Sequence, residues 1–316
     1  MTNRLRIVFM GTPDFAAVIL NTLHKHHYNL VAVVTVPDRP AGRGRQLRPS
    51  AVKQAAIEHN IPLLQPEKLK AAEFLAQIRS YEPDVFVVVA FRMLPQVLWK
   101  LPPKGTFNLH ASLLPQYRGA APINWAIING EHLTGVTTFF IDEQIDTGDI
   151  IDHRTCPIEK DDNASSLHDK LMILGGDLVM STLDAIEQGQ AKPKVQNTQG
   201  PLRSAPKLNA ENTRINWESA AEMTVNLIRG LDTYPGAWTT LLRSGEVLKV
   251  KINQAKRTGL TANRAPGSID VTKKSLHVHT ADEQLSITLI QFPGKKKMPI
   301  EALLNGYSFE NEDKFV

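Results

Sequence analysis

Three short, almost unbroken apolar runs mark the first half of the chain: Ile7–Met10, Leu30–Val36 and Asp84–Ala90. Strands covered on both faces of a parallel sheet read this way, because neither face meets water. Between them, Asp14–Lys25 and Pro66–Tyr81 carry apolar residues at helical spacing with charges in the gaps. Strand, helix, strand, helix predicts a doubly wound, mostly parallel α/β sheet. Thr106–His110, Gly135–Ile141 and Asp149–His153 predict further strands. Asn163–Glu187 predicts a long closing helix, with Asn163 or Ser165 as its N-cap.

The periodicity then dissolves in QGQAKPKVQNTQGPLRSAP, Gln188–Pro206, a composition that predicts a linker. Beyond it, Trp217–Leu231 has helical spacing. Ala237–Leu242, Val247–Asn253, Gly267–Val271, Ser275–His279 and Leu285–Gln291 alternate like short strands between turns. This second region predicts a small β-barrel or sandwich. The expected organisation is an α/β domain over 1–188, a linker over 189–206 and a β-rich domain over 207–316.

Composition narrows the class without choosing a function. Of 316 residues, 42% are hydrophobic, enough for two real cores and too many for a disordered chain. The net charge of +4 is too small to name a partner by itself. One cysteine, Cys156, forbids an internal disulfide and a cysteine-rich zinc site. No apolar run reaches the length of a signal core or a membrane span, so a cytoplasmic protein with no membrane partner is expected. The first strand ends in Gly11-Thr12-Pro13, without the G-x-G-x-x-G that lets a dinucleotide pyrophosphate approach; a plain strand-to-helix turn with Asp14 as cap is expected instead. His24, His26 and His27 sit at a helix end, and His277 and His279 alternate on a strand; none is assigned chemistry. No set of side chains makes a convincing metal site.

The candidate chemistry lies in Thr106–Pro122, TFNLHASLLPQYRGAAP. On a strand, Asn108 and His110 share one face. A carboxamide N–H can stabilise a developing oxyanion, and an imidazole beside it can move protons near neutral pH. Such a histidine needs a third group to orient it. The loop Asp142–Asp149, DEQIDTGD, supplies carboxylates, with Asp146 in D-T-G-D the best placed. The same residues also fit a structural strand end and a solvated turn, so spacing alone leaves both readings open.

N-L-H-A-S-L-L-P-Q-Y-R-G-A-A-P followed by D-T-G-D resembles the signature of the 10-formyltetrahydrofolate-dependent formyltransferases. The resemblance implies that Asn108, His110 and Asp146 form the catalytic trio. Asn108 and His110 would stabilise a tetrahedral intermediate while Asp146 assists proton transfer. It also implies 10-formyltetrahydrofolate as formyl donor. The folate would be held by Phe91, Arg92, Met93 and Leu94, by Ile141 and Asp142 opposite, and by Ser112, Leu113, Leu114 and Pro115. Here the chain departs from the family's commoner A-Y-G-x-I-L-P: A-F-R-M-L-P is shorter and carries Arg92.

The acceptor amine is read from two further features. Pro37–Lys53, PDRPAGRGRQLRPSAVK, resembles the loop that members acting on initiator methionyl-tRNA insert against the acceptor stem. Arg39, Arg43, Arg45 and Arg48 would contact tRNA there, with Arg43 foremost. The β-rich second region resembles the OB-like domain those members append, with Lys249 and Lys251, near Lys256 and Arg257, and Lys295 and Lys296 as tRNA contacts. A monomer that formylates the amino group of initiator methionyl-tRNA is therefore expected. The rivals are a formyltransferase for amino-sugar nucleotides, which would not need the arginine loop, and a non-catalytic RNA-binding protein.

Overall fold

A computed structural model describes residues 5–41, 46–243, 245–310 and 312–316. Arg43 and Arg45, two of the expected tRNA contacts, lie outside the described residues. Along the chain run β1 (Ile7–Gly11), α1 (Asp14–Lys25), β2 (Leu30–Val34), β3 (Arg39–Ala41), β4 (Gln46–Arg48), α2 (Ala51–Glu58), β5 (Leu63–Leu64) and α3 (Ala72–Ser80). Next come β6 (Val85–Val89), α4 (Gln96–Trp99), β7 (Thr106–His110), β8 (Arg118–Gly119), α5 (Pro122–Ile128), β9 (Leu133–Phe140), β10 (Ile150–Pro157), α6 (Ala164–Glu187) and β11 (Ser204–Ala205). The rest holds α7 (Ala221–Leu231), β12 (Ala237–Arg243), β13 (Glu246–Thr261), β14 (Ile269–Val271), β15 (Leu276–His279), β16 (Glu283–Gln291), β17 (Met298–Pro299), α8 (Ile300–Leu304) and β18 (Lys314–Phe315). Among the described residues no helix is long and apolar enough to cross a membrane.

The chain forms two compact units: one up to Arg118 plus Thr134–Pro157 and His168–Arg203, the other Gly119–Leu133, Ile158–Leu167 and Ser204–Val316. In the first, the strand order is β10-β9-β7-β6-β1-β2-β5. β1 pairs in parallel with β2 on one side and β6 on the other, β6 continues in parallel to β7, and β9 runs antiparallel to β7. The winding reverses at β1, as the doubly wound reading expects. Val8, Met10, Phe86 and Val88 face a core with Phe74 and Ile78 of α3, while Ile7, Phe9, Val85 and Val87 are buried on the opposite face. That double burial is why these strands read as continuous apolar runs. Gly11 closes β1 because a Cβ there would sit 2.6 Å from Ala16 Cβ and 2.9 Å from Val89 O. The glycine serves the packing of strand against helix.

Local differences from the sequence reading have identifiable causes. Asp14 does not cap α1; Pro13 holds the N-cap position, its carbonyl accepting from Ala16 N and Ala17 N, and Asp14 lies in the first turn. The helix expected over Pro66–Tyr81 begins only at Ala72. Residues 66 and 67 are held out of it by Arg92, whose guanidinium donates to their carbonyls, and Leu69 is buried in the core. For α6, Asn163 is the cap: its Oδ1 accepts from Ser166 N at 2.9 Å, and Ser166 Oγ accepts from Asn163 N at 3.0 Å. This reciprocal pair is a capping box.

In the second unit, the sheet order is β14-β15-β16-β13-β12-β18, with β17 on β16. Lys314 bridges antiparallel to Ser268, just before β14, so the sheet curls back to a nearly closed, antiparallel barrel. Strand β13 runs to Thr261, past the expected end at Asn253, and register shifts between Ile252 and Ala255 bend it. Trp217 is not helical: its indole stacks on Phe315 and donates to Thr239 Oγ1 inside the barrel core. Helix α7 starts instead at Ala221, whose N–H donates to Asp282. His279, which the sequence left without a role, is fully buried with Nε2 2.8 Å from Asp270 Oδ2.

Candidate active site

Strand β7 ends at the carboxyl edge of the parallel strands, where open α/β sheets place their ligands. Its alternation turns Thr106, Asn108 and His110 to one side. Asn108 is half-buried, and among the described residues its carboxamide makes no hydrogen bond. Its two N–H donors are thus available at this edge to water or to a group from outside the protein.

His110 is buried, and its two nitrogens are distinct. Nε2 lies 2.8 Å from Tyr117 O. A carbonyl only accepts, so this contact makes Nε2 the N–H donor and leaves Nδ1 as the nitrogen turned to the other side. Nδ1 faces Asp146 Oδ2 at 3.7 Å, beyond hydrogen-bond range but close enough for charge attraction. The three residues expected as a catalytic trio are thus split: His110 and Asp146 face each other, and Asn108 lies two residues back on the same strand face.

Each is held by a different device. The loop after β7 turns through Ser112, whose hydroxyl donates to Gln116 O at 2.6 Å. Thr137 of β9 fixes it from the side, donating to Ser112 O at 2.6 Å and accepting from Leu114 N at 3.2 Å. Tyr117 takes a left-handed φ of +60°, which aims its carbonyl at the imidazole. Asp146 is also left-handed, with φ +57°. Its loop is folded by Asp142, which accepts from Gln144 N at 3.0 Å and from Thr147 Oγ1 at 2.7 Å. Gly148 then passes so close to Phe140 O that a Cβ would overlap it.

On the expected folate side, Phe91, Leu94 and Ile141 pack on the same core cluster, and Gln96 Nε2 donates to Glu143 Oε1 at 2.7 Å, tying the two loops. Met93 is 70% exposed at a shallow groove it shares with Lys68, Lys70 and Arg92. Arg92 turns its guanidinium away from solvent onto the Pro66 and Glu67 carbonyls. Burial, with the charge of Arg39 second, draws its pKa below the ordinary guanidinium value. Asp142 spends its carboxylate on its own loop, and Ser112 and Leu114 are buried, while Leu113 and Pro115 are partly open.

The expected tRNA contacts are spread out. Arg39 and Arg48 are exposed and pair across the β3–β4 hairpin. Lys53, in the first turn of α2, is taken by Asp38 at 2.7 Å, and hydrogen bonds from Lys53 and then Gln65 lower the Asp38 pKa. In the second unit, Lys249 lies 3.8 Å over the Trp238 ring, with Arg214 over the same ring, and Lys251 donates to Pro235 O at 2.6 Å. Lys256, Lys295 and Lys296 are exposed, whereas Arg257 is held by Glu283 at 2.8 Å.

Residues that sequence reasoning missed lie mainly in the stretch after α6. Gln196 is buried and reaches the Asp146 loop and Arg118. Arg203 pairs with Tyr117 and Gln116. Neither carries a periodic signal, since both sit in a Gln-, Pro- and Lys-rich segment without alternation.

Comparison with known proteins covers most of the chain. Residues 5–183 match the family model "Formyl transferase" and residues 207–308 match "Formyl transferase, C-terminal domain". The chain is 50% identical over 308 residues to the methionyl-tRNA formyltransferase of Bacteroides fragilis, covering 96% of this chain and 95% of that protein. With the methionyl-tRNA formyltransferase of Flavobacterium johnsoniae it shares 48% identity over 311 residues, 98% of this chain and 99% of the other. Among solved structures, HypX from Aquifex aeolicus in complex with tetrahydrofolic acid superposes with a TM-score of 0.64 at 21% identity. That match covers 96% of this chain and 47% of HypX, so the chain spans about half of that protein, and the likeness speaks for the fold alone.

Proposed function

The chain belongs to the formyl transferase family, and from that premise we propose that it transfers the formyl group of 10-formyltetrahydrofolate to the amino group of initiator methionyl-tRNA. The observation that carries the reading is its near-full-length identity to two methionyl-tRNA formyltransferases, combined with a carboxamide left without a partner beside a histidine–aspartate pair. The residues fit the donor. Phe91, Leu94 and Ile141 offer an apolar wall to a flat ring, and Ser112–Pro115 border the strand end.

The folate supplies an electrophilic formyl carbon, and the protein's own groups do the rest. Asn108 donates from its free carboxamide to the formyl oxygen as it gains negative charge. His110 accepts the proton of the attacking amine at Nδ1, the nitrogen that Tyr117 leaves available. Asp146 stabilises the imidazolium that results, and the same proton leaves Nδ1 for the departing folate nitrogen, which restores the starting state. The tRNA side is carried by Arg39, Arg43, Arg45 and Arg48 and by Lys249, Lys251, Lys295 and Lys296. The protein acts as a monomer in the cytoplasm, where charged tRNA is found.

The experiment is formyl transfer in vitro with 10-formyltetrahydrofolate and methionyl initiator tRNA, with a dTDP-linked amino sugar as the competing acceptor. Transfer to the tRNA with affinity falling steeply as salt rises is expected, since several phosphate contacts release counterions. Transfer to the sugar alone, or to neither, overturns the reading.

A further inference from the structure

The segment following α6 is exposed almost throughout, and of residues 191–204 Gln196 is the one that is buried. Burying a carboxamide is unfavourable unless its donors and acceptor are satisfied. Here all are. Nε2 donates to Asp146 O at 2.9 Å and to Gly148 O at 2.8 Å, and Oε1 accepts from Arg118 Nε at 3.1 Å and from its NH2 at 2.6 Å. Two carbonyls on one end and a guanidinium on the other leave only one way for the amide to point.

The segment itself is anchored on both sides of this residue. Lys194 exchanges backbone hydrogen bonds with Ile150, both at 2.8 Å. Further on, Gln116 Nε2 donates to Pro201 O, Gln116 Oε1 accepts from Arg203 N, and Tyr117 N donates to Arg203 O at 2.6 Å. Gln196 therefore sits on a fixed strap.

Its partners give it a role. Asp146 is in the left-handed region, which aspartate tolerates better than most residues but which still needs the surrounding loop to favour it. Asp142 fixes the front of the loop, but the carbonyls of Asp146 and Gly148 are gathered by Gln196. On its other side, Gln196 grips Arg118, the residue next to Tyr117, whose carbonyl holds His110 Nε2. One amide thus references both halves of the His110–Asp146 pair to each other.

We propose that Gln196 is a positioning residue for the transfer reaction, holding the Asp146 carboxylate against His110 Nδ1. The inference rests on the reading above, in which that pair moves the proton. Loss of Gln196 removes one donor from each of the Asp146 and Gly148 carbonyls, loosens the hold on the Asp146 backbone, and lets the 3.7 Å approach widen.

The test compares kcat and KM of full-length Gln196→Ala, Asp146→Ala and the double variant. Gln196→Ala is expected to lower kcat by about 10- to 100-fold, the scale of a small misplacement of a catalytic group, with KM for folate and tRNA within about twofold. In the Asp146→Ala background the same substitution should cost nothing further, because it acts through that residue. The acid limb of the kcat–pH profile should move in Gln196→Ala, which a loss of general stability would not produce. Amide exchange over 142–149 should quicken while exchange in β1 and β6 stays the same. If Gln196→Ala does not fold, Gln196→Met, similar in length and apolar, is read in the same way. Unchanged kcat, a full additional loss in the double variant, or failure of both single variants to fold overturns the proposal. If instead His110→Ala and Asp146→Ala retain turnover, it is the assignment of the pair that fails, whatever Gln196→Ala does.

Discussion

In the first unit His110 Nδ1 faces Asp146 Oδ2 at 3.7 Å; in the second, His279 Nε2 meets Asp270 Oδ2 at 2.8 Å. Both histidines end an alternating strand segment, N-L-H in one and H-V-H in the other. By contact distance the second pair is the better catalytic candidate. Its surroundings say otherwise. His279 is fully buried with Nδ1 left unpartnered among the described residues, and Asp270 is already shared with Arg264 at 2.7 Å and with Gln284, so the carboxylate is committed within the barrel. His110 and Asp146 are looser, lie at the carboxyl edge of a parallel sheet, and have a carboxamide without a protein partner two residues away. A tight pair stabilises a fold; a slack pair beside an unspent donor has capacity left for a substrate.

Substitutions can break this contrast. The largest effect is expected for His110→Ala, which should lower kcat by about 10²–10⁴ through loss of proton transfer. Single-turnover formylation would measure it, and a loss under fivefold would place the proton elsewhere. Asn108→Ala should follow, lowering kcat by about 10²–10³ while folate binding, read by titration, changes little. His279→Ala should do the reverse. It should cost about 1–3 kcal/mol of stability as the buried hydrogen bond is lost, visible in thermal unfolding, with kcat unchanged.

The smallest effect separates the pairs by pH. The Asp270 pKa is lowered, first by its hydrogen bond to Arg264 and then, against desolvation, by His279. A carboxylate depressed in the folded state contributes stability above its unfolded pKa of about 3.9, and that contribution is lost as pH falls through the folded value. The melting temperature of the protein should therefore drop below about pH 4. Asp270→Asn should flatten the drop while leaving kcat unchanged, which sets this pair apart from the one in the first unit. Asp282, lowered first by the Ala221 N–H, and Glu283, lowered by Arg257 and Gly259 against its own burial, leave part of the drop in place.

Much of this was legible in the sequence because it is written in periodicity. Strands β1, β2 and β6 are largely buried on both faces and cannot avoid apolar runs; one strand's alternation put Asn108 and His110 on a shared face, and the motif resemblance singled them out as candidates. What stayed hidden depends on single long-range hydrogen bonds. Trp217 leaves its helical pattern because its indole has a partner on β12 and a ring on β18. The start of α3 moves because Arg92, from another loop, claims two carbonyls. Helix α2 was missed inside the arginine-rich stretch although Ser50 caps it, accepting from Lys53 N at 3.0 Å. Gln196 has no local signal at all: its neighbours are exposed, and only its four contacts mark it.

The β3–β4 hairpin sets Arg39 directly opposite Arg48. Like charges facing each other across two strands repel, so the unliganded hairpin carries an electrostatic frustration that a phosphate between the guanidiniums would relieve. Added salt then acts in opposite senses on one element. It should slow amide exchange in the free hairpin by screening the two arginines, and at the same time weaken the hold on a polyanion. In the reading proposed above, a polyanion bound at this hairpin would offset the repulsion that its two arginines carry in the free protein.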